Sequence, residues 1–472
     1  MVSEDPRRTI PDSWRALPWV DDVRVAGGRV FVVGGTARDW LKSSPPADLD
    51  VLVSGLDAQN LSKILERHGR VDLVGAAFSV FKWRSDDGDL RADVVLPRTE
   101  RSTGPGHRDF EIHSDASIAV EDDLARRDFT VNAIAVLLPD GEIVDPHGGA
   151  RDLEAGILRA VGDPDERFQE DPLRILRAAG FAGRFGLQVE DRTLASMAES
   201  ASRVITVAPE RIATELVKLL GRSPRPSVGL RLLDETGVME HLVPEWVPCR
   251  GFDQKNPYHH LLLDEHVYET LDETARRTED VVIRTAAWLH DLGKPDAYTE
   301  ETKEDGAVVG HFYGHEKVSA RMARDVLTRY QFSAAEGFPR GGVDAVCHLI
   351  RHHLVQLDGT SSDRAVRRWI ARLKGPANAR RLLLLWAGDR AAHRDGLDEE
   401  RLADLVRRIE EVGSVPLSDH DLAIDGSVLA EALNISGMEI GQMKSDLLAR
   451  VIDGEVVNEE GALLAAARES MD

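Results

Sequence analysis

The chain has 472 residues, of which 42% are hydrophobic and 30% are charged, and its formal net charge is −23. This length suffices for several domains with buried cores, and the composition is that of an ordinary globular protein rather than a disordered one. Because no apolar run reaches 18 residues and the N-terminal segment lacks a signal-peptide core, we expect a cytoplasmic protein with no membrane partner. The only cysteines, Cys249 and Cys347, form no CxxC pair, which argues against a zinc finger or a disulfide framework.

Basic residues concentrate in one short segment of this acidic chain. Residues 396–472 carry 18 acidic and 6 basic side chains, whereas positions 363–381 carry seven Lys or Arg and a single Asp. Such a run is usually a solvated helix face, but local basic surface on an acidic protein also binds phosphates. The candidate contacts with a nucleic-acid backbone are Arg364, Arg367, Arg368 and Arg372.

Strand and helix patterns alternate in the first 150 residues. RVFVVGG (29–35) predicts a buried strand that ends at a glycine pair, and DLDVLVSG, FSVFKWR and LRADVVLPR predict further strands. TARDWLK and LDAQNLSKILERHG have the apolar period of helices. From about residue 150 onward the pattern is helical almost throughout. The predicted fold class is therefore α+β: a small head with a mixed sheet, followed by a long all-α body.

Turn signals and composition divide the chain further. Joints rich in Pro, Gly or Ser lie at GRSPRPS (221–227) and GFDQKNPYHH (251–260). The predicted domains are an N-terminal extension 1–28, the head 29–150, a helical neck 151–228, a connector 229–258, a histidine-rich helical domain 259–395 and an acidic helical tail 396–472.

Two aspartates of the head alternate with apolar residues on a predicted strand. Period two places the carboxylates of Asp48 and Asp50 on one face, where they repel each other unless a cation lies between them. A pair of solvent-facing acids on an edge strand is the common alternative. Against it stands the glycine turn Gly34-Gly35, whose N–H groups can hold phosphate, with Arg38 one turn further on. Carboxylates with phosphate oxygens suit Mg²⁺, and Asp93 in RADVV would complete a two-metal site.

The string GGTARD followed by DLDV resembles the head of the class II tRNA nucleotidyltransferases, the CCA-adding enzymes of the polymerase-β-like superfamily. These enzymes share their motifs with bacterial poly(A) polymerases. The resemblance continues through RRDFTVNAIAV (126–136), EDPLRILRA (170–178) and PERIATELVKLL (209–220), while RTERSTGPGHRDFE (98–111) is similar to the flexible loop of the multifunctional bacterial branch. It implies tRNA, CTP and ATP as partners and Mg²⁺ as cofactor. The RRD motif implies that Arg127 lies near the nucleotide phosphates and Asp128 near the ribose 2′-OH.

EDPLRILRA is predicted to form one helix, on which Asp171 and Arg174 share a face. A carboxylate accepts from the exocyclic amino group of cytosine or adenine, and a guanidinium donates to the ring nitrogen beside it. Uracil and guanine present the reverse order, so the pair would select C and A, as the family resemblance also implies. A simple helix salt bridge between Asp171 and Arg174 is the alternative.

One position departs from the family pattern. Arg174 and Arg177 match the first two arginines of RxxRxxRF, but the third position is Gly180, with Arg184 one turn further as a possible substitute. The predicted function is addition of C, C and A to the 3′ end of tRNA. Gly180 keeps addition of CC or A only as an alternative, and the further alternatives are poly(A) polymerisation and hydrolysis by the body with an inactive head.

The body contains a series of potential metal ligands around WLHDLGKP (288–295). An isolated buried histidine is usually a satisfied core residue, but this ordered series resembles the HD phosphohydrolase superfamily. The resemblance implies a divalent metal (Mg, Mn, Ni or Fe) and hydrolysis of a phosphomonoester or 2′,3′-cyclic phosphodiester. The predicted ligands are His266, His290, Asp291, His315, His352, His353 and Asp389.

Overall fold

A mixed β-sheet forms the centre of the N-terminal part of the chain. The computed structural model describes residues 9–43, 49–74, 80–102, 110–114, 117–358, 360–411, 416 and 418–471. Its strands in this part are Arg29–Val33 (β1), Asp50–Ser54 (β2), Arg70–Val74 (β3), Val80–Arg84 (β4), Arg91–Val95 (β5), Arg98–Ser102 (β6), Phe110–Ser114 (β7), Ala135–Leu138 (β8), Ile143–Val144 (β9), Ile157–Leu158 (β10) and Gln188–Val189 (β11). In the described part of the chain, the main sheet has the order β3-β4-β5-β2-β1-β8-β9, while β6–β7 and β10–β11 form separate pairs.

Helices surround this sheet and continue beyond it. They are Asp12–Arg15 (α1), Val20–Val25 (α2), Gly34–Leu41 (α3), Ala58–Leu65 (α4), Val120–Ala125 (α5), Gly149–Ala155 (α6), Pro164–Glu170 (α7), Leu173–Phe185 (α8), Asp191–Glu199 (α9), Pro209–Arg222 (α10), Pro226–Glu235 (α11) and Val238–Leu242 (α12). The prediction of a mixed-sheet head followed by helices is confirmed.

Strand pairing brings two acidic residues together. The β-branched run of β1 is buried between antiparallel partners β2 and β8, and Phe31, Leu52 and Ala135 from the three strands join one core. On its other side β2 pairs with β5 in parallel, in a register that places Asp50 beside Asp93. Because side chains alternate along each strand, two residues in register project from the same face. The sheet therefore presents both carboxylates on one side.

The predicted single helix over EDPLRILRA is wrong. Helix α7 ends at Glu170, and α8 begins at Leu173. Asp171 between them is extended, with φ −142° and ψ 98°. Proline disfavours helical geometry in the residue before it and lacks a donor, so Pro172 ends one helix and starts the next.

Contacts divide the chain into two compact units, one of residues 1–215 and 228–242 and the other of residues 216–227 and 243–472. The remaining helices are Leu263–Arg277 (α13), Val281–Leu289 (α14), His315–Arg329 (α15), Gly342–His352 (α16), Asp363–Arg372 (α17), Pro376–Ala391 (α18), Glu399–Glu411 (α19), Gly426–Leu433 (α20), Met438–Ile452 (α21) and Glu460–Glu469 (α22), with a hairpin of Thr299–Thr302 (β12) and Val308–His311 (β13). Among the described residues, no helix is both long enough and apolar enough to cross a bilayer.

Helices α13 and α18 approach each other closely in the second unit. A Cβ on Gly388 would lie 2.1 Å from the Thr274 hydroxyl and 2.9 Å from the Thr270 carbonyl oxygen, so only glycine permits this contact. The approach brings Asp389 of α18 next to His266 of α13. Packing between the helices thus builds part of the predicted metal site.

The acidic C-terminal segment is helical. Helices α20, α21 and α22 enclose a core of their own, with Leu429, Leu447 and Leu463 fully buried. The end of α21 contacts the arginines of α17, the predicted nucleic-acid contacts. Arg364 and Arg368 pair with Asp453, and Arg367 donates to the carbonyl oxygens of Ile452 and Asp453. Three of the four predicted arginines therefore have partners within the protein, and their role toward RNA stays a prediction.

Candidate active sites

A cleft of about 580 Å³ in the first unit collects most of the head residues predicted from the sequence. The glycine turn and the strand carboxylates line one part of it, and arginines line much of the rest. Its predicted residues are Gly34, Gly35, Arg38, Asp50, Asp93, Arg127, Asp128, Asp171, Arg174 and Arg177. Asp48 lies outside the described residues.

The carboxylates of Asp50 and Asp93 border the cleft. The backbone N–H of Asp50 donates to the Thr36 hydroxyl (3.1 Å), which ties β2 to the start of α3. Asp93 accepts from the Lys82 ammonium at 2.8 Å, and both of these side chains are about half exposed. Oxygen ligands that border an arginine-rich cleft suit Mg²⁺ bound together with a phosphate, so Asp50 and Asp93 fit the predicted metal.

The glycine turn is shaped by its contact with an arginine. Gly34 has a left-handed φ of +64°, and a Cβ there would lie 2.7 Å from Nη1 of Arg127. Any side chain would therefore strain the backbone and displace Arg127. Arg38, which is buried, donates to Asn132 (2.5 Å) and lies 4.2 Å from the ring centre of Phe185.

A buried aspartate that the sequence analysis missed orients the RRD motif. Asp123 is completely buried and accepts from both Arg126 (2.6 Å) and Arg127 (3.1 Å). Burial alone would raise the pKa of Asp123, but the two guanidinium groups outweigh it and hold that pKa below its usual value. The spacing DxxRR at the C-terminal end of α5 is the signal that could have revealed this pairing.

The motif's own aspartate, Asp128, holds a second arginine. It accepts from Arg177 (2.6 Å), from the Asn132 amide and from the Phe129 backbone N–H. Burial would raise the pKa of Asp128, but Arg177 and Asn132 keep it below its usual value. Asp128 therefore stays ionised and fixes Arg177 in the cleft wall.

Asp171 and Arg174 both line the cleft but form no ion pair with each other among the described contacts. Asp171 accepts from Arg211 (3.0 Å) and from the backbone N–H of Leu173 (3.1 Å). Arg174 donates to Glu170 (3.1 Å) and to the carbonyl oxygen of Arg126 (2.9 Å). The helix salt bridge weighed above is therefore not the arrangement observed. Arg211 and Glu170 are partners that sequence reasoning missed.

The departure at Gly180 leaves open space. A Cβ built there has no neighbour within 4 Å, whereas Phe181 and Arg184 line the cleft. Arg184 thus lines the same cleft as Arg174 and Arg177, which a substitute for the third arginine would have to do.

We expect Gly180→Ala to stabilise the protein by about 0.5–1 kcal/mol, because alanine in a helix interior loses less conformational entropy than glycine. The matched variant Gly186→Ala, at the left-handed C-cap of α8 with φ +65°, should destabilise it instead. Thermal unfolding measures both. A lower unfolding temperature for Gly180→Ala would show that this space is needed.

Histidines and aspartates of the second unit converge on the buried residue Asp291. Its Oδ2 lies 3.1 Å from Nε2 of His290 and 3.5 Å from Nε2 of His266. Its Oδ1 lies 3.3 Å from Nε2 of His315 and 3.8 Å from Nε2 of His353. Two groups of ligand atoms suited to a metal ion therefore share one carboxylate. Asp389 adds an oxygen 3.1 Å from His266.

Backbone contacts orient three of these histidines alike. Nδ1 of His290, His315 and His353 each lies 2.7–2.8 Å from the carbonyl oxygen three residues earlier. These contacts suit a proton on Nδ1 and turn Nε2 of each ring toward the cluster, as a metal ligand requires. Nε2 of His290 and both Asp291 oxygens are buried without a hydrogen bond of good geometry. Such buried, convergent acceptors fit divalent metal ions.

Opposite charges stabilise the side chains of this cluster. Burial alone would lower the pKa of His290, but Asp291 and Asp389 outweigh it and raise that pKa to about 10. Burial would raise the pKa of Asp291, yet His290 and Lys294 keep it well below its usual value. The ligand side chains are thus preorganised as ion pairs.

The prediction that both His352 and His353 are ligands requires correction. Only His353 joins the cluster, whereas the His352 ring lies edge to face with the His348 ring, with ring centres 4.7 Å apart. Consecutive helical residues point about 100° apart, so adjacent histidines at the end of α16 do not converge on one ion.

Three neighbours of the cluster were missed. The Lys294 ammonium lies 2.7 Å from Oδ2 of Asp291 and donates a hydrogen bond to Gln254 (2.8 Å). His393 lies 3.3 Å from Asp389, and Arg390 lies 3.1 Å from its other ring nitrogen. Because that guanidinium must donate to Nδ1, His393 carries its proton on Nε2 and donates it to Asp389. Lys294 is the last residue of HDLGK (290–294), and this motif was the sequence signal that could have revealed its role.

Three family models match parts of this chain. The poly A polymerase head domain matches residues 30–159, the "Probable RNA and SrmB- binding site of polymerase A" matches residues 186–249, and the HD domain matches residues 259–408. The chain is 40% identical over 273 residues to a multifunctional CCA protein of Methylococcus capsulatus, with 56% of this chain and 61% of that protein aligned. It is 38% identical over 306 residues to one of Aromatoleum aromaticum, with 64% and 70% aligned.

The solved structure of the Bacillus stearothermophilus CCA-adding enzyme in complex with CTP has a similar fold. The TM-score is 0.67 with 21% identity, and the match covers 98% of both chains.

Proposed function

The chain belongs to the family of multifunctional CCA proteins, and we propose that it adds C, C and A to the 3′ end of tRNA from CTP and ATP without a nucleic-acid template. The observation that carries this proposal is one cleft in which Asp50 and Asp93 face Asp171 and Arg174. Side chains suited to bind a metal ion, phosphates and a base therefore line the same cleft. The aligned part spans about three fifths of the Methylococcus relative.

In the proposed reaction, the 3′-OH of tRNA attacks the α-phosphorus of the bound nucleotide and pyrophosphate leaves. Asp50 and Asp93 would hold Mg²⁺, which when bound neutralises charge on the phosphates. The N–H groups of the glycine turn and Arg127 bind the triphosphate. Arg177, fixed by Asp128, adds positive charge to the same wall.

Base selection requires Asp171 and Arg174 to exchange protein partners for the base. In the structure, Asp171 forms an ion pair with Arg211, and Arg174 forms an ion pair with Glu170. The Arg211–Asp171 pair is partly exposed, so it is replaceable at small free-energy cost, whereas Arg174 is only 12% exposed and would exchange one carboxylate partner for the base inside the cleft wall. A carboxylate beside a guanidinium then matches the amino group and ring nitrogen of C and A.

We expect Arg174→Ala to relax the preference for CTP and ATP over UTP and GTP by roughly tenfold or more, since one good bidentate base contact is worth about 1–3 kcal/mol. Competition kinetics of the four nucleotides on tRNA lacking its 3′ end measure this ratio. Arg192→Ala, which removes an exposed arginine outside the cleft, is the matched control. Equal slowing of all four nucleotides in Arg174→Ala would mean that this residue does not read the base.

Product length tests the proposal against its alternatives. A tRNA transcript without CCA, incubated with CTP and ATP, should grow by three nucleotides and stop. A long tail made from ATP alone would indicate a poly(A) polymerase, and growth by CC or A only would indicate a partial enzyme. No growth with any nucleotide would leave hydrolysis by the second unit as the activity.

We further propose that the second unit is a metal-dependent phosphohydrolase for a phosphomonoester or a 2′,3′-cyclic phosphodiester. His266, His290, Asp291 and Asp389 would hold one divalent ion, and Asp291, His315 and His353 a second (Mg, Mn, Ni or Fe). Bound ions supply Lewis acidity and lower the pKa of water. Lys294, buried beside Asp291, supplies a positive charge for the substrate phosphate.

A further inference from the structure

A second basic cleft lies in the second unit, on residues that neither proposed reaction uses. It measures about 700 Å³ and runs between helices α15 and α16 to the residues that precede and begin α18. Its basic side chains are Lys317, Arg321, Arg324, His348, Arg351 and Lys374. One carboxylate, that of Asp344, lines it as well.

The cations of this cleft are presented to solvent. Lys317, Arg321, Arg324, Arg351 and Lys374 are all exposed. Arg324 pairs with Asp344 at 2.8 Å, whereas no ion pair or hydrogen bond is found for the other four side chains among the described contacts. The cleft thus concentrates uncompensated positive charge on a chain whose net charge is −23.

The spacing of these charges suits a chain of phosphates. Lys317, Arg321 and Arg324 follow one face of α15 over seven residues, a span of about 10 Å at 1.5 Å per residue. Arg351 stands on the opposite wall, and His348 is fixed by its contact with the Leu373 carbonyl oxygen (3.2 Å). A row of that length exceeds one phosphate group and matches consecutive phosphates of a polynucleotide.

We propose that this cleft binds the phosphate backbone of RNA and so provides a contact with tRNA away from the nucleotidyltransferase cleft. The inference rests on the proposed function for the identity of the RNA. It concerns α15 and α16, not the α17 arginines that pair with the end of α21. Lysines and arginines that contact only phosphates strengthen binding without reading sequence.

The test is the salt dependence of tRNA binding to the double variant Arg321→Gln/Arg351→Gln in the full chain. Loss of two phosphate contacts should make the slope of log K against log salt shallower by roughly 1.4–1.8, and weaken binding about tenfold or more at 0.1 M salt. A tRNA transcript without CCA is the ligand. The control Lys303→Gln/Arg340→Gln removes the same charge from exposed positions that do not line the cleft.

The outcomes separate this inference from the proposed function. Wild-type affinity and slope in the cleft variant, with nucleotide addition intact in the wild type, would overturn the inference alone. Failure of the wild type to extend any tRNA would overturn the function, while a salt effect confined to the cleft variant would still support an RNA contact. If polyglutamate competed as well as RNA of equal charge, the cleft would be a site for acidic protein segments and the assignment to RNA would fall.

Discussion

Replacement of Asp50 by alanine is expected to lower the rate of nucleotide addition by about a thousandfold or more while the protein stays folded. Metal-assisted phosphoryl chemistry depends on several kcal/mol of charge stabilisation, and each 1.36 kcal/mol is a factor of ten. Asp50 is partly exposed at the cleft rather than buried in the core. Its removal therefore costs the metal site and not the packing of β2. The measurement is single-turnover addition of CMP to tRNA lacking CCA.

The matched control is Asp86→Ala, which removes an exposed carboxylate from the turn between β4 and β5 of the same sheet. It should leave the rate near that of the wild type. A rate within tenfold of the wild type for Asp50→Ala, with equal folding, would contradict the metal-binding role of Asp50.

Asp291→Asn should abolish the proposed phosphohydrolase activity, again by about a thousandfold or more, and leave nucleotide addition unchanged. Asp291 lies between both groups of candidate ligands, so its neutralisation weakens both metal positions. Asparagine has the same shape, which keeps the buried space filled. The metal content of the purified protein, measured by elemental analysis, should fall from about two bound transition-metal ions per chain to one or fewer.

Phosphatase and cyclic phosphodiesterase assays with several divalent ions give the second readout. His420→Ala removes an exposed histidine from the same unit and serves as the control, with no expected change in metal content. Unchanged hydrolysis and metal content in Asp291→Asn would refute the shared-carboxylate site. Loss of nucleotide addition as well would show that the two activities are not separable.

Periodicity made much of the head predictable. Asp50 and Asp93 each alternate with apolar residues on a strand, and the sheet sets them in register. Arg211 was not identifiable, because its contact with Asp171 depends on how helices distant in sequence pack. Glu170 stands four residues before Arg174, and this spacing is a local signal that could have indicated their ion pair.

In the candidate metal cluster, the sequence predicted which residue types take part but not which side chains face inward. Residue types and order predicted a site for His290, Asp291, His315 and Asp389. The sequence did not distinguish His352 from His353, because only the rotation of α16 about its axis decides which of two neighbours faces inward. Likewise, the break at Asp171 follows from Pro172, a signal that was present but outweighed by the apolar pattern.

Stepwise extension of defined tRNA ends tests the central claim most directly. Three transcripts, ending before the first C, before the second C and before the terminal A, are each incubated with one nucleotide at a time. A protein-built template that adds CCA should add C to the first two and A only to the third, and reject UTP and GTP throughout. Addition of A to every transcript, or of C to the third, would contradict it.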